Sequence, residues 1–264
     1  MNLDEAQTVT ERRLFATSIA KDAGSLALSY SFKRHALNVK YPTKNDLVTE
    51  ADYQVETFIR ERIHTAYPED GILGEEHGFE PPNKNESGIW VVDAIDGSVN
   101  FLHGIPYWSV SIAYYRNGVV QVGVVYSPAT NELFSAQVDT GVWLNGTRVN
   151  VSITNTPEKA IIGVGHAFRR ECNYFSQLKT LTKLSADYRR FGSCALSMAY
   201  VACGRLDGYY EAYLPAWDFL AGWLLVKEAG GQVFELPLDV IQRGAEIRVL
   251  NGKLNRFALF PSTF

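Results

Sequence analysis

Two β-rich runs joined by a short turn constrain the fold more than any other feature of the chain. Residues 109–115 and 119–126 are rich in β-branched and aromatic side chains, and Asn117-Gly118 lies between them. Because Asn and Gly tolerate the positive φ angles of a type I′ turn, this pattern predicts a β-hairpin. A further apolar run at 133–136 and a second turn signal at Asn145-Gly146 extend the pattern. The middle of the chain is therefore predicted to be an antiparallel meander with helices packed on it.

The order of the predicted elements differs between the two halves of the chain. Before the meander, apolar spacings of three and four predict a helix over residues 15–30 and another from Thr49 to just before Tyr67-Pro68. Apolar runs at 72–73 and 89–92 predict short strands. After about Val151, strand-like runs alternate with helical stretches, which indicates a second sheet with covering helices. The predicted strands there are 161–164, 188–191, 206–210 and 232–234, and the predicted helices are 171–184, 194–203 and 217–229.

This change of pattern predicts two closely joined lobes. Residues 1–150 would form an N-terminal α+β lobe with an antiparallel sheet, and residues 151–264 a C-terminal α/β lobe. The chain carries no internal repeat or low-complexity linker that would separate them. A cleft between the lobes is the expected place for a ligand.

Composition narrows the class of protein. The 264 residues carry a formal charge of −4, which argues against a nucleic-acid binder that relies on bulk positive charge. No apolar stretch approaches the roughly 20 residues of a membrane span, and the charged N-terminus does not resemble a signal peptide. The cysteines (Cys172, Cys194 and Cys203) show no CxxC spacing. We therefore expect a cytoplasmic enzyme with reduced thiols.

A pair of aspartates after an apolar strand is the most informative motif. Asp93 and Asp96 follow Trp90-Val91-Val92, and Gly97-Ser98 then opens a predicted helical turn. Carboxylates at the end of a strand are ligands that Mg²⁺ prefers, and backbone N–H groups at a helix start suit a phosphate. The alternative is that Asp93 is a cap and Asp96-Gly97 a simple turn.

Three other acidic segments flank apolar elements. Glu75-Glu76 follow a short strand, Asp218 stands at the head of an apolar helix, and Asp52 lies three residues after Thr49. Taken singly, these are consistent with a solvated loop, a first-turn aspartate and an approximate capping box, respectively. Taken together with the aspartate pair, they favour a shared metal site.

These segments together resemble the inositol monophosphatase family, which comprises Mg²⁺-dependent, lithium-sensitive phosphatases. The motifs, which run through nearly the whole chain, are Asp46 to Asp52, Gly74-Glu75-Glu76, Asp93 to Phe101, and Trp217-Asp218 with Glu228 to Gly231. The resemblance implies a two-lobed layered αβαβα sandwich of the inositol monophosphatase and fructose-1,6-bisphosphatase type, with α+β and α/β character. It also implies a homodimer. Two positions depart from the family pattern: Ala94 stands where proline is usual, and Ser98 where threonine is usual.

The resemblance assigns roles to individual residues. It implies two to three Mg²⁺ ions, held by Glu75, Asp93, the main-chain carbonyl of Ile95, Asp96 and Asp218, with Asp46 and Glu76 just outside these ligands. Asp52 and Ser98 would orient the attacking water. The substrate would contact Asp96, Gly97, Ser98, Ser193, Cys194 and Glu211.

The implied reaction is hydrolysis of a phosphate monoester by in-line attack of a metal-activated water. The resemblance also implies that Glu211, seven residues before Asp218, hydrogen-bonds a ring hydroxyl of the substrate, which favours a small polyol phosphate such as myo-inositol 1-phosphate. Histidinol phosphate is an alternative substrate, and a regulatory binding protein of the transcription or ribosome-assembly machinery is an alternative function. No direct nucleic-acid or membrane partner is expected. His77 and His103 are interpreted as structural or exposed, and Tyr209 and Trp217 as core residues.

Overall fold

The computed structural model describes residues 3–37, 39–43, 46–84, 87–166, 174–237 and 239–260, without the side chains of residues 3–6, 36, 39–43, 46–48 and 256–257. Its helices are α1 (Leu3–Ser31), α2 (Glu50–Ala66), α3 (Ser98–His103), α4 (Tyr174–Lys183), α5 (Cys194–Ala202), α6 (Ala216–Glu228), α7 (Val240–Arg243) and α8 (Arg256–Leu259). Its strands are β1 (Val39–Thr43), β2 (Asp46–Thr49), β3 (Gly71–Gly74), β4 (Gly78–Glu80), β5 (Ile89–Asp96), β6 (Ser109–Arg116), β7 (Val119–Ser127), β8 (Glu132–Gln137), β9 (Gly141–Leu144), β10 (Thr147–Val149), β11 (Ile161–Val164), β12 (Asp187–Arg189), β13 (Gly208–Leu214) and β14 (Ala245–Leu250).

A large sheet contains the predicted meander. Its strand order is β10-β9-β8-β7-β6-β5-β3-β4, and the β6–β7 turn has positive φ at both Asn117 (52°) and Gly118 (79°), which confirms the hairpin. Strands β6 to β10 form the predicted antiparallel meander, whereas β3 pairs parallel with β5. The cause is the short strand β4, which turns back along the outer edge of β3 and lets the chain enter β5 in the direction of β3.

A smaller sheet follows in the order β12-β11-β13-β14, with β11 parallel to both β12 and β13, and β14 antiparallel to β13. The strand predicted at 232–234 is wrong, because this segment forms only an isolated bridge between Gln232 and Leu250. The edge position belongs instead to β14. Its alternation of buried Ala245, Ile247 and Val249 with polar residues is an ordinary strand signal that the sequence interpretation missed.

Helices and sheets stack in five layers. α1 and α2 cover one face of the large sheet, α5 and α6 cover its other face and also contact the small sheet, and α4 packs on β12 and on the outer core of the small sheet. Along β7, Val124 faces the core under α1 whereas Val125 faces the core under α6. A Cβ on Gly123 would lie 2.6 Å from the Ala221 carbonyl, so glycine allows α6 to approach this closely.

The change of sheet falls close to the predicted boundary at residue 150. The last strand of the large sheet ends at Val149, and the first strand of the small sheet begins at Ile161. The shared α5–α6 layer lies between the two sheets. The end of β5, the starts of α5 and α6, and part of β13 line one cleft. In the ranges that the structure describes, no helix combines the length and apolar character needed to cross a membrane.

Candidate active site

A β-bulge brings the two acids of β5 to the same side of the sheet. Asp93 lies opposite Ser111 of β6 and Asp96 lies opposite Ser109, so three steps along β5 match two along β6. Residues three apart on a regular strand point to opposite faces, and the extra residue of the bulge returns Asp96 to the face of Asp93. Both carboxylates therefore lie on the same face of the sheet, towards the C-terminal end of β5.

Three carboxylates from distant parts of the chain converge at this end of β5. Glu75 directly follows β3, Asp93 belongs to β5, and Asp218 lies in the first turn of α6. One carboxylate oxygen of each lies within 4.8 Å of the other two. The Ser111 hydroxyl donates to the Trp217 carbonyl at 3.2 Å and so ties the start of α6 to the strand opposite Asp93.

The acid cluster of Glu75, Asp93 and Asp218 has the chemistry of a hard-cation site. Burial raises the pKa of Asp93 well above its ordinary value, and the negative charges of Glu75, Asp96 and Asp218 raise it further. A divalent cation would remove this repulsion, and a set of carboxylate oxygens is the donor set that Mg²⁺ prefers. The residues present therefore fit the ion that the sequence predicted.

Asp52 uses its two oxygens for different partners. Oδ2 accepts the N–H of Thr49 at 2.9 Å and the Thr49 hydroxyl at 2.5 Å, so the capping box of α2 is confirmed. Oδ1 accepts the Ser98 hydroxyl at 2.8 Å. Burial raises the pKa of Asp52, while the hydrogen bonds from Thr49 and Ser98 lower it. The cap and the contact with Ser98 are thus compatible uses of one carboxylate.

Asp96 is held at the N-terminus of α5. Its carboxylate accepts the Ser193 hydroxyl, the N–H of Cys194 at 3.1 Å and the N–H of Ala195 at 2.9 Å, with the Ser109 hydroxyl at 3.3 Å. Burial raises its pKa, and these hydrogen bonds lower it. The structure therefore places Asp96 beside the acid cluster, with its oxygens directed to α5.

A cleft of about 370 Å³ opens next to the acid cluster. Residues predicted to contact substrate line it, namely Asp96, Ser193, Cys194 and Glu211, together with Asp218. Burial raises the pKa of Glu211 to about 7, and a hydrogen bond from Tyr209 and the positive charge of Arg190 act in the opposite direction. The cleft is thus lined by the acidic residues Asp96 and Asp218 together with a Glu211 carboxyl group whose pKa lies near 7.

Comparison with known proteins identifies the family. The family model described as "Inositol monophosphatase family" matches residues 8–247. The chain belongs to the inositol monophosphatase family.

Individual relatives carry two different names. An inositol-1-monophosphatase from Rhizobium meliloti is 40% identical over 217 residues, which is 81% of this chain and 78% of the relative. A Nus factor SuhB from Xylella fastidiosa is 39% identical over 217 residues, with the same coverage of 81% and 78%. The solved inositol monophosphatase from Anabaena (Nostoc) superposes with a TM-score of 0.81 at 34% identity, covering 96% of this chain and 94% of that one. The layered α/β fold is thus that of the inositol monophosphatases.

The other predicted site residues of this family member are placed as follows. The Ile95 carbonyl accepts the Ser98 hydroxyl at 3.0 Å, and its N–H donates to Asp93 at 2.9 Å. Gly97 has a φ of 100° at the start of α3, where a Cβ would lie 3.1 Å from the Gly192 carbonyl. The N–H of Glu76 donates to the carboxylate of Glu56 at 2.8 Å. The side chain of Asp46 lies outside the described residues.

Sequence reasoning missed several groups at the site. Tyr209 is buried as predicted, but its hydroxyl also donates to Glu211 Oε2 at 2.6 Å. Arg190 lines the cleft, although no motif marks it. Gly165 stands where a Cβ would overlap the Glu211 carboxylate. These contacts depend on pairing β11 with β13, which a linear pattern does not specify.

The thiol of Cys194 at the cleft is buried. Burial raises the pKa of Cys194 well above its ordinary value, and the charges of Glu211 and Asp96 raise it further. The thiolate is the reactive form of cysteine, so this environment suppresses reactivity.

Proposed function

We propose that this member of the inositol monophosphatase family is a Mg²⁺-dependent phosphate-monoester hydrolase that acts on a small polyol phosphate such as myo-inositol 1-phosphate. The observation that carries the proposal is the convergence of Glu75, Asp93 and Asp218 oxygens within 4.8 Å beside the Ser98–Asp52 pair. Family membership supports the phosphatase activity in general.

Glu75, Asp93 and Asp218 would hold Mg²⁺. The family resemblance implies the Ile95 carbonyl and Asp96 as further oxygen ligands, and the carboxylate of Asp96 also accepts hydrogen bonds from the start of α5. When bound, Mg²⁺ neutralises phosphoryl oxygens and makes a water molecule more acidic. The first-turn position of Asp218 also stabilises the acid cluster, because the positive end of the α6 dipole offsets part of the cluster's negative charge.

Ser98 and Asp52 would orient the attacking water. The Ser98 hydroxyl has acceptors in Asp52 at 2.8 Å and in the Ile95 carbonyl at 3.0 Å, so its hydrogen points into the protein. Its oxygen lone pairs can then accept a hydrogen bond from water. Asp52 is itself fixed by Thr49, which keeps the hydroxyl in one orientation. This arrangement would align the water for in-line attack on phosphorus.

The cleft favours a hydroxyl over an amine in the alcohol part of the substrate. Tyr209 already donates to one oxygen of Glu211, and the positive charge of Arg190 acts on the same carboxyl group. A substrate ammonium group bound at Glu211 would be repelled by the positive charge of Arg190, whereas an uncharged polyol hydroxyl would not be. We therefore place myo-inositol 1-phosphate before histidinol phosphate.

The activity is tested by phosphate release from myo-inositol 1-phosphate, histidinol phosphate and a 3′-phosphoadenosine nucleotide. We expect Mg²⁺-dependent hydrolysis of the inositol phosphate, loss of activity with EDTA, recovery on adding Mg²⁺, and inhibition by Li⁺. Asp93→Asn should remove nearly all turnover, and the exposed substitution Asp187→Asn should not. Activity that survives exhaustive chelation would refute the proposal, and preference for histidinol phosphate would refute the substrate.

A second candidate function follows from the relatives named Nus factor SuhB. The same fold would then bind a component of the transcription machinery, with or without catalysis. Pull-down of RNA polymerase by the parent protein and by Asp93→Asn separates the two functions. Capture by both proteins would support a binding role independent of the acid cluster, and capture by neither would remove this candidate.

A further inference from the structure

Glu56 is a fully buried carboxylate that the proposed chemistry does not use. It lies on α2 with 0% of its surface exposed, one helical turn after Asp52. Burial of a carboxylate is costly unless hydrogen bonds and charges compensate it. The partners of Glu56 therefore indicate what its position contributes.

Those partners belong to the turn that carries Glu75. The N–H of Glu76 donates to Glu56 Oε2 at 2.8 Å, and the N–H of His77 donates to Oε1 at 3.2 Å. The His77 ring lies 3.2 Å from the same oxygen through Nδ1. A Cβ on Gly74 would overlap the carboxylate, so glycine at this position lets Glu56 reach under the turn.

Neighbouring residues of α2 hold the same turn. Thr57 Oγ1 lies 3.1 Å from His77 Nε2, and the Tyr53 and His77 rings lie 4.7 Å apart. Arg60 contacts Glu56 at 3.4 Å and donates to the Gly78 carbonyl at 3.3 Å. One face of α2 thus holds the β3–β4 turn through hydrogen bonds and a ring contact.

We propose that Glu56 is a positioning residue that fixes Glu75 relative to the Ser98–Asp52 pair, an inference that rests on the proposed function for its catalytic consequence. Asp52 and Glu56 lie four residues apart on the same rigid helix, so the helical rise fixes their separation along the axis at about 6 Å. Asp52 holds the Ser98 hydroxyl, and Glu56 holds the turn that carries Glu75. α2 therefore sets the distance between the metal ligand and the group that orients water.

The chain offers a matched control at the other end of β3. Asp70 is also a buried carboxylate, and it accepts the N–H of Gly88 at 3.2 Å, Trp90 Nε1 at 3.1 Å and Arg12 at 3.1 Å. It precedes β3, whereas Glu75 follows β3. Asp70→Asn should disturb a comparable hydrogen-bond network without moving the metal ligands.

The experiment compares Glu56→Gln with Asp70→Asn in the full chain. Mn²⁺ binding without substrate is measured by electron paramagnetic resonance, and exchange of the Glu76 and His77 amides is measured in metal-free protein. Groups that orient metal ligands typically change affinity about 10- to 100-fold, so we expect Glu56→Gln to weaken Mn²⁺ binding by at least about 10-fold. It should also accelerate exchange at both amides and lower kcat more than it raises KM. Asp70→Asn should leave Mn²⁺ affinity as it is in the parent protein.

Mn²⁺ affinity and amide exchange that are the same in Glu56→Gln and the parent would overturn the inference, while an active parent would leave the proposed function intact. An inactive parent with weakened Mn²⁺ binding in Glu56→Gln would refute the function and leave the positioning role in place. If Glu56→Gln fails to fold, Glu56→Asp is measured in the same way, since it keeps the charge and withdraws the carboxylate by one methylene. Parent-like Mn²⁺ affinity in a folded Glu56→Asp would equally overturn the inference.

Discussion

Asp93→Asn should change stability in opposite directions with and without a divalent cation. In EDTA, the substitution removes one negative charge from a buried site that also contains Glu75 and Asp218. The metal-free variant should therefore unfold at a higher temperature than the parent. With Mg²⁺ present, the same substitution removes a ligand, so the variant should lose the stabilisation that the ion gives the parent.

The separation of the carboxylates sets the magnitude. Two unit charges at the 4.8 Å that bounds the acid cluster repel by about 3.5 kcal/mol at an effective dielectric constant of about 20. Asp93 faces two such neighbours, but protonation of the cluster relieves part of the repulsion, so we expect a net gain of about 3 kcal/mol in EDTA at neutral pH. For a chain of this size, that corresponds to a rise in Tm of about 6–12 °C.

Thermal unfolding of the parent, Asp93→Asn and Asp187→Asn is recorded in EDTA and across a Mg²⁺ titration. The parent should gain stability with Mg²⁺ concentration as expected for binding to the folded state, and Asp93→Asn should gain much less. Asp187 is exposed and pairs with Arg189, so its variant should follow the parent. An Asp93→Asn protein that is less stable than the parent in EDTA, or equally stabilised by Mg²⁺, would refute the reasoning.

Three further outcomes are expected. Ser98→Ala should lower kcat about 100-fold or more with Mn²⁺ binding unchanged, and Ser98→Thr should retain activity because it keeps the hydroxyl. Equal kcat in the parent and both variants would contradict the role of Ser98. Because the pKa of Glu211 is raised from 4.5 to about 7, the folded protein holds this proton where the unfolded chain has lost it, so its stabilising contribution is complete below pH 4.5 and is lost as the pH rises through 7. In EDTA the stability of the parent relative to Glu211→Gln should fall by about 3 kcal/mol from pH 4.5 to 8 in denaturant titrations, and a pH-independent difference would contradict the shift. Glu228 accepts the N–H groups of Asp139, Thr140 and Gly141, each at 3.0 Å. Glu228→Gln should therefore lower the free energy of unfolding by about 1–3 kcal/mol in denaturant titrations, with kcat/KM unchanged. A loss of activity at full stability would contradict this structural role.

The sequence predicted best those elements whose signal is local. The Asn117-Gly118 turn is specified by the φ angles these residues tolerate, and the Thr49 cap of α2 by a hydrogen bond within three residues. The ends of α5 and α6 were also predicted to within one residue. In each case the determining interaction lies within a few positions along the chain.

Features that depend on pairing between distant segments could not be predicted in this way. The bulge between Asp93 and Asp96 exists only in register with Ser111 and Ser109 of β6. The contact of Glu56 with the β3–β4 turn joins residues 20 and 21 positions apart, and that of Tyr209 with Glu211 joins residues whose place at the cleft is set by the β11–β13 pairing. The family resemblance named the acids of the site, but tertiary structure determines which groups hold them in place.

The central claim is that Glu75, Asp93 and Asp218 share a divalent cation. It is tested most directly by anomalous diffraction from crystals of the active protein soaked in Mn²⁺. We expect an anomalous peak within coordination distance of all three carboxylates, and no such peak in Asp93→Asn crystals soaked in the same way. A parent protein that hydrolyses phosphate monoesters with Mn²⁺ yet shows no peak among these carboxylates would contradict it.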